Sequence, residues 1–183
     1  GWCRITWHAL RVITGKETDV AAMLRRSGLR AIAPTRTMVE RHMGHWKVVR
    51  RAMLPGYALI QCNMTVALYY SLTQMPGVLA LIGGAGSKLA PIPEEQIPVF
   101  HALMTEYDDL MMGVSYGQRG ADGEIRITSG PLARIDRAQI VKIDARRRRA
   151  TVKVSLYEDV YHVDAALIVG EGEEVTEAHE EPG

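Results

Sequence analysis

Few residues in this chain stand at spacings that could do covalent or metal chemistry. His42-Met43-Gly44-His45 offers two imidazoles, but no third or fourth ligand accompanies them at a metal-site spacing, so no metal is expected. Gly83-Gly84-Ala85-Gly86 lacks the Lys and Ser/Thr that complete a phosphate-binding loop and reads as a turn. Asp108-Asp109 has no neighbouring group suited to acid–base work. No Ser/His/Asp or Cys/His arrangement stands out, so neither catalysis nor a cofactor is predicted. Cys3 and Cys62 are far apart and read as reduced thiols, with a bridge between them the weaker alternative.

What remains is charge. Residues 1–60 hold 11 Lys and Arg against 3 Asp and Glu, a net of +8 inside a chain whose total is +1. Residues 171–183 hold six Glu and no Lys or Arg. Such polarity suits a basic end near phosphates and an acidic, solvated tail. The basic end concentrates in Arg36, Arg41, Lys47, Arg50 and Arg51. A second run, Arg146-Arg147-Arg148-Arg149, follows Ile143-Asp144. Each run reads either as a nucleic-acid contact or as a solvated loop; the clusters favour nucleic acid, single arginines do not.

Between the two runs lies Leu54-Pro55-Gly56-Tyr57. Pro fixes one dihedral and Gly supplies a permissive one, so the chain can bend sharply before Tyr57. The corner can offer Leu54 and Tyr57 as an apolar knob beside a positive surface. Tyr57 could equally be a core residue of the strand it opens.

The elements that must hold these residues follow from periodicity. Ile5 to Ile13 reads as a strand, and a helix carrying Val20, Met23 and Leu24 on one face stops at Gly28. Ala31 to Pro34 forms a short strand, residues 35–51 a long loop or extended hairpin, and Tyr57 to Cys62 a strand. Val66 to Gln74 reads as a helix and Val78 to Ile82 as a strand. Ile97, Phe100, Met104, Tyr107 and Met111 recur at helical spacing, a stripe suited to core or docking. Residues 1–111 therefore form an α/β domain, and the glycine-rich 112–122 a flexible linker. Residues 123–170 hold about five short strands, including Ala150 to Leu156, Val160 to Val163 and Leu167 to Val169, enough for a small barrel. Residues 171–183 form a disordered tail. No apolar run approaches membrane-spanning length and no leader is seen, so a soluble cytoplasmic protein is expected.

These pieces resemble a family. Trp7-His8-Ala9-Leu10 through Gly15-Lys16-Glu17, then Leu54-Pro55-Gly56-Tyr57, Pro76-Gly77-Val78 with Gly83, and Pro91-Ile92-Pro93 are similar to successive parts of the N-terminal domain of NusG-type transcription elongation factors. Glu124 to Asp144, centred on Ser129-Gly130-Pro131-Leu132, resembles the KOW motif of that family's C-terminal barrel. The resemblance implies an α+β chain: an NGN-type sandwich with an antiparallel sheet, linked to an SH3-like barrel. It implies binding to the clamp helices of RNA polymerase and suppression of pausing and termination. The docking pocket carries over to Leu54 and Tyr57, with Trp7 contributing and Pro55 and Gly56 shaping the corner. The basic segment Arg36 to Arg51 would lie near upstream or non-template DNA. Arg134 and Arg137 stand where KOW motifs place glycines, so that loop should be reshaped, and with Arg146 to Arg149 they could converge on nascent RNA. Leu156 and Tyr157 match the patch through which housekeeping members recruit a ribosomal protein or Rho, but the usual Phe-Gly pair is Tyr157-Glu158 here.

Overall fold

The computed structural model describes residues 5–83, 89–104 and 111–171. Strand β1 (Thr6–Val12) leads through a Gly15 turn into helix α1 (Glu17–Arg26), followed by β2 (Arg30–Ile32). Glu17 and Asp19 in the first turn of α1 and Arg25 and Arg26 in its last turn match the helix dipole. Next come β3 (Thr35–His42) and β4 (His45–Ala52), then β5 (Tyr57–Cys62), α2 (Val66–Thr73) and β6 (Val78–Ile82). Helix α2 is capped by Thr65, whose hydroxyl accepts from Leu68 N at 3.1 Å. Helix α3 (Ile97–Leu103) and β7 (Met111–Met112) complete this half.

Strands β2-β5-β1-β6 form one sheet in that order, with β1 antiparallel to both neighbours. Side chains alternate across a strand, so the sheet has two faces of different fate. Leu10, Val12, Ala58, Ile60 and Leu81 pack under α1 and α2 with Val20, Leu24 and Leu72. Trp7, Ala9, Tyr57, Leu59 and Ile82 face the other way, toward α3 and the C-terminal half.

That half holds β8 (Ser115–Arg119), β9 (Ile125–Ser129), β10 (Ile140–Asp144), β11 (Arg149–Leu156) and β12 (Asp159–Glu171). They form a curled five-stranded sheet, β10-β11-β12-β8-β9. Ala150, Val152, Val154 and Leu156 of β11 are buried while Lys153 is exposed, as alternation predicts. Of the long loop or extended hairpin expected over 35–51, the hairpin forms, as β3–β4, and β7 pairs with β3 in a third sheet.

Several expectations are corrected. Residues 115–119, read as linker, are strand β8. Gly117 is small because the neighbouring backbone packs close, a Cβ there falling 2.8 Å from Arg126 O. Val160 to Val163 and Leu167 to Val169 are one strand, since β12 pairs first with β11 and then, past Ala166, with β8. Met111 belongs to β7 and not to the preceding helix, which ends at Leu103. Tyr107, Asp108-Asp109, Gly84 to Gly86, Cys3 and the tail beyond Glu171 lie outside the described residues. Among the described residues no helix is long and apolar enough to cross a membrane.

Candidate functional site

The Leu54–Tyr57 corner is tightly braced. Gly56 takes φ +83°, a value that favours glycine. Its N–H donates to the Glu17 carboxylate at 2.8 Å, and the Gly15 N–H donates to both oxygens of the same group at 3.0 Å. Val12 N donates to Gly56 O at 2.8 Å, and Tyr57 N to Leu54 O at 3.0 Å. Glu17 is only 7% exposed. Burial pushes its carboxyl up, but the donors from Gly56 and Gly15 outweigh burial and leave it below the usual range. Glu17 is thus the residue that fixes the corner. The sequence offered it only as part of a Gly-Lys-Glu turn.

The corner's apolar residues do not point at solvent. Leu54 is 3% exposed and lies in a cluster that runs without interruption from the α/β half into the core of the curled sheet. Tyr57 is half-buried. Its hydroxyl is hydrogen-bonded to that of Tyr161 on β12 at 2.9 Å, and the two rings meet edge-on with centroids 5.4 Å apart. Trp7 is half-buried on the same sheet face, with the Arg30 guanidinium 5.6 Å from its ring centroid. Pro55 is exposed. The sheet face that α1 and α2 leave bare is therefore covered by α3 and the C-terminal half.

A second contact secures that cover. Tyr157, at the β11–β12 turn, has φ +55°, disfavoured for a residue with a Cβ. The Gln96 side chain grips its backbone at both ends: Nε2 donates to Tyr157 O and Tyr157 N donates to Oε1, each at 2.7 Å. The Tyr157 hydroxyl donates to Ala90 O at 3.0 Å, and burial pushes its pKa up to about 12. Leu156 is 1% and Tyr157 7% exposed, so the proposed recruitment pair is inside the molecule in this arrangement.

The basic residues separate by environment. Arg36 is half-buried, donating to Ala52 O and Asp164 O, and burial lowers its pKa. Arg51 pairs with Glu40 at 2.9 Å. Arg41, Lys47 and Arg50 are exposed on the hairpin. Arg134 and Arg137 do not meet Arg146 to Arg149: they precede β10 and the others follow it, so the strand holds the groups at its two ends. The loop at Arg134 and Arg137 is reshaped into two short 3-10 turns without positive φ at either arginine. Arg134 donates to Ala102 O at 3.3 Å and Arg137 to Ile140 O at 3.0 Å. Arg146 and Arg147 are exposed, whereas Arg149 pairs with Asp164 at 3.4 Å. His42 and His45 face each other across the hairpin tip, and among the described residues no three metal-binding side chains gather.

A family model described as "Transcription termination factor nusG" matches residues 5–101. "Transcription termination/antitermination protein NusG" of Pasteurella multocida is 27% identical over 160 residues, covering 82% of this chain and 86% of that protein. The protein of the same name from Escherichia coli K12 is 24% identical over the same share of this chain and 87% of its own length. A solved structure described as "Domain interaction in Thermotoga maritima NusG" superposes with a TM-score of 0.51 at 16% identity, over 90% of this chain and 94% of that one, a likeness of fold. An α/β half with a braced corner and a curled five-stranded sheet packed on it is thus the architecture of a two-part chain of the kind that these relatives represent. The chain belongs to the NusG family.

Proposed function

We propose that this chain binds elongating RNA polymerase through the sheet face around Leu54 and Tyr57 and raises processivity by suppressing pausing and termination. The observation supporting this is the apolar face carrying Trp7, Tyr57 and Leu59 on the side of the sheet away from α1 and α2. Pro55 and Gly56 shape its edge. An apolar coiled-coil arm such as the clamp helices would fit there once the C-terminal half moves away, because Tyr161 now occupies the position. The α/β half, residues 1–111, would stay on the polymerase while the released barrel and the hairpin cations contact nucleic acid. Recruitment of a ribosomal protein or Rho through Leu156 and Tyr157 is the weaker reading, since Tyr157-Glu158 stands where the usual Phe-Gly pair is expected. The test is co-purification with core polymerase. Leu54→Ala with Tyr57→Ala abolishes it, and Tyr57→Phe, which keeps the ring, retains it. Unchanged binding by the double variant overturns the assignment.

A further inference from the structure

One exposed face of the β3–β4 hairpin interleaves cations with apolar groups. Arg41 and Trp46 are direct cross-strand partners there, followed by Val48 and Arg50. Trp46 is 36% and Val48 68% exposed, two residues apart on β4 and therefore on one face of the hairpin. The C-terminal half completes this surface. The Arg148 guanidinium lies 4.1 Å from the Trp46 ring centroid, a cation–π contact between the β10–β11 turn and the hairpin tip. Arg148 holds φ +55°, so the turn adopts a conformation that L-residues disfavour. Arg146 and Arg147 precede Arg148 on the same turn, both exposed. Among the described residues Arg41 and Arg146 have no anionic partner, and Arg147 meets only Asp144, at 3.8 Å.

We propose that the hairpin tip and the β10–β11 turn together form one platform for single-stranded nucleic acid. Bases stack on Trp46, and phosphates lie against Arg41, Arg146 and Arg147. Stacking on an aromatic is indifferent to sequence but needs an unpaired base, which a duplex does not offer. Two observations carry this: an aromatic ring flanked by the exposed cations Arg41, Arg146 and Arg147, and the supply of those cations from both halves of the chain. The platform exists only while the halves are packed together, so the closed arrangement is the one that holds a strand. The platform does not rest on the function proposed above, and because docking there parts the two halves, strand binding by the platform and polymerase docking exclude one another.

The test is fluorescence anisotropy of the full chain with labelled oligouridylate, oligothymidylate and a blunt duplex of equal length over a salt series. Single strands bind more tightly than the duplex. Trp46→Ala weakens them by about tenfold, and Trp46→Phe retains most of the affinity. Arg146→Ala with Arg147→Ala flattens the salt slope by about 1.4, from roughly 0.7 per released phosphate contact. Gln96→Ala, which loosens the packing of the halves without touching the platform, also weakens strand binding. Duplex binding as tight as strand binding, or full affinity in Trp46→Ala, overturns the proposal. Full affinity in Gln96→Ala overturns its two-part construction. Strand binding that survives while the corner variants still bind polymerase would refute the docking assignment and leave the platform standing.

Discussion

Replacing Gln96 with Ala isolates the contact that holds the C-terminal half over the corner. The side chain makes two hydrogen bonds of 2.7 Å to the Tyr157 backbone and is only half-buried, so little core volume is lost. Each such bond contributes a net ~0.5–1.5 kcal/mol, so the pair stabilises the packed arrangement by about 1–3 kcal/mol. At 1.4 kcal/mol per factor of ten, the equilibrium between packed and separated halves shifts by roughly 5- to 150-fold. If polymerase docks only on the uncovered face, its apparent affinity rises with the separated fraction, until that fraction approaches one. Titration of core polymerase with both proteins measures the gain, and hydrogen exchange at the Tyr157 amide reports the loosened contact. Faster exchange at Tyr157 with no gain in polymerase affinity would refute the reasoning, because the covered face would then not be the docking face.

Further outcomes follow from other contacts. Glu17→Gln removes the anion that accepts from Gly15 and Gly56, and charge-assisted bonds of this kind predict a loss of about 1.5–3 kcal/mol in chemical denaturation. Because the folded-state pKa of Glu17 is depressed, its contribution is complete above the unfolded carboxylate value and fades as pH falls through the folded one, so wild type and Glu17→Gln should converge in acid. Tyr157 shows the opposite sign: its pKa is raised from 10.0 to about 12, so its stabilisation is complete below pH 10 and is lost as pH climbs toward 12, measurable as alkaline exposure of tyrosine absorbance. Gly130→Ala places a Cβ 2.6 Å from Ser115 Cα at φ +88°, and should lower the melting temperature of the C-terminal half by more than a typical surface substitution. Cys62 is buried and burial pushes its thiol up, so it reacts with a thiol reagent only at the rate of unfolding.

Much of the fold was legible because period and position agreed. Ala150 to Leu156 alternates cleanly, and Tyr57 to Cys62 is a β-rich run directly after a turn. The structure adds why that second run is apolar almost throughout. Tyr57 and Leu59 meet the C-terminal half while Ala58, Ile60 and Cys62 join the core under α1 and α2, so both faces are largely buried. Residues 115–119 misled because small polar residues signal a linker in isolation and close backbone packing in context. The corner was visible as Pro-Gly, but not its anchor. Glu17 sits 39 positions away from Gly56, and nothing local in the sequence joins them. Nor could the sequence reveal that Tyr57 ends on Tyr161, since that pairing depends on how the two halves meet. The arginines illustrate the same limit: Arg134 and Arg137 are near Arg146 to Arg149 in sequence, yet a five-residue strand puts them at opposite ends.

The chemistry of the Tyr57–Tyr161 pair has a bearing on reversibility. Phenol oxygens that face each other can each take up water when they separate, so parting them carries little of the desolvation imbalance that a seam of methyl groups would impose. The apolar cluster that also spans the seam supplies most of the grip, and the polar pair adds to it without making release harder when a better-fitting occupant arrives.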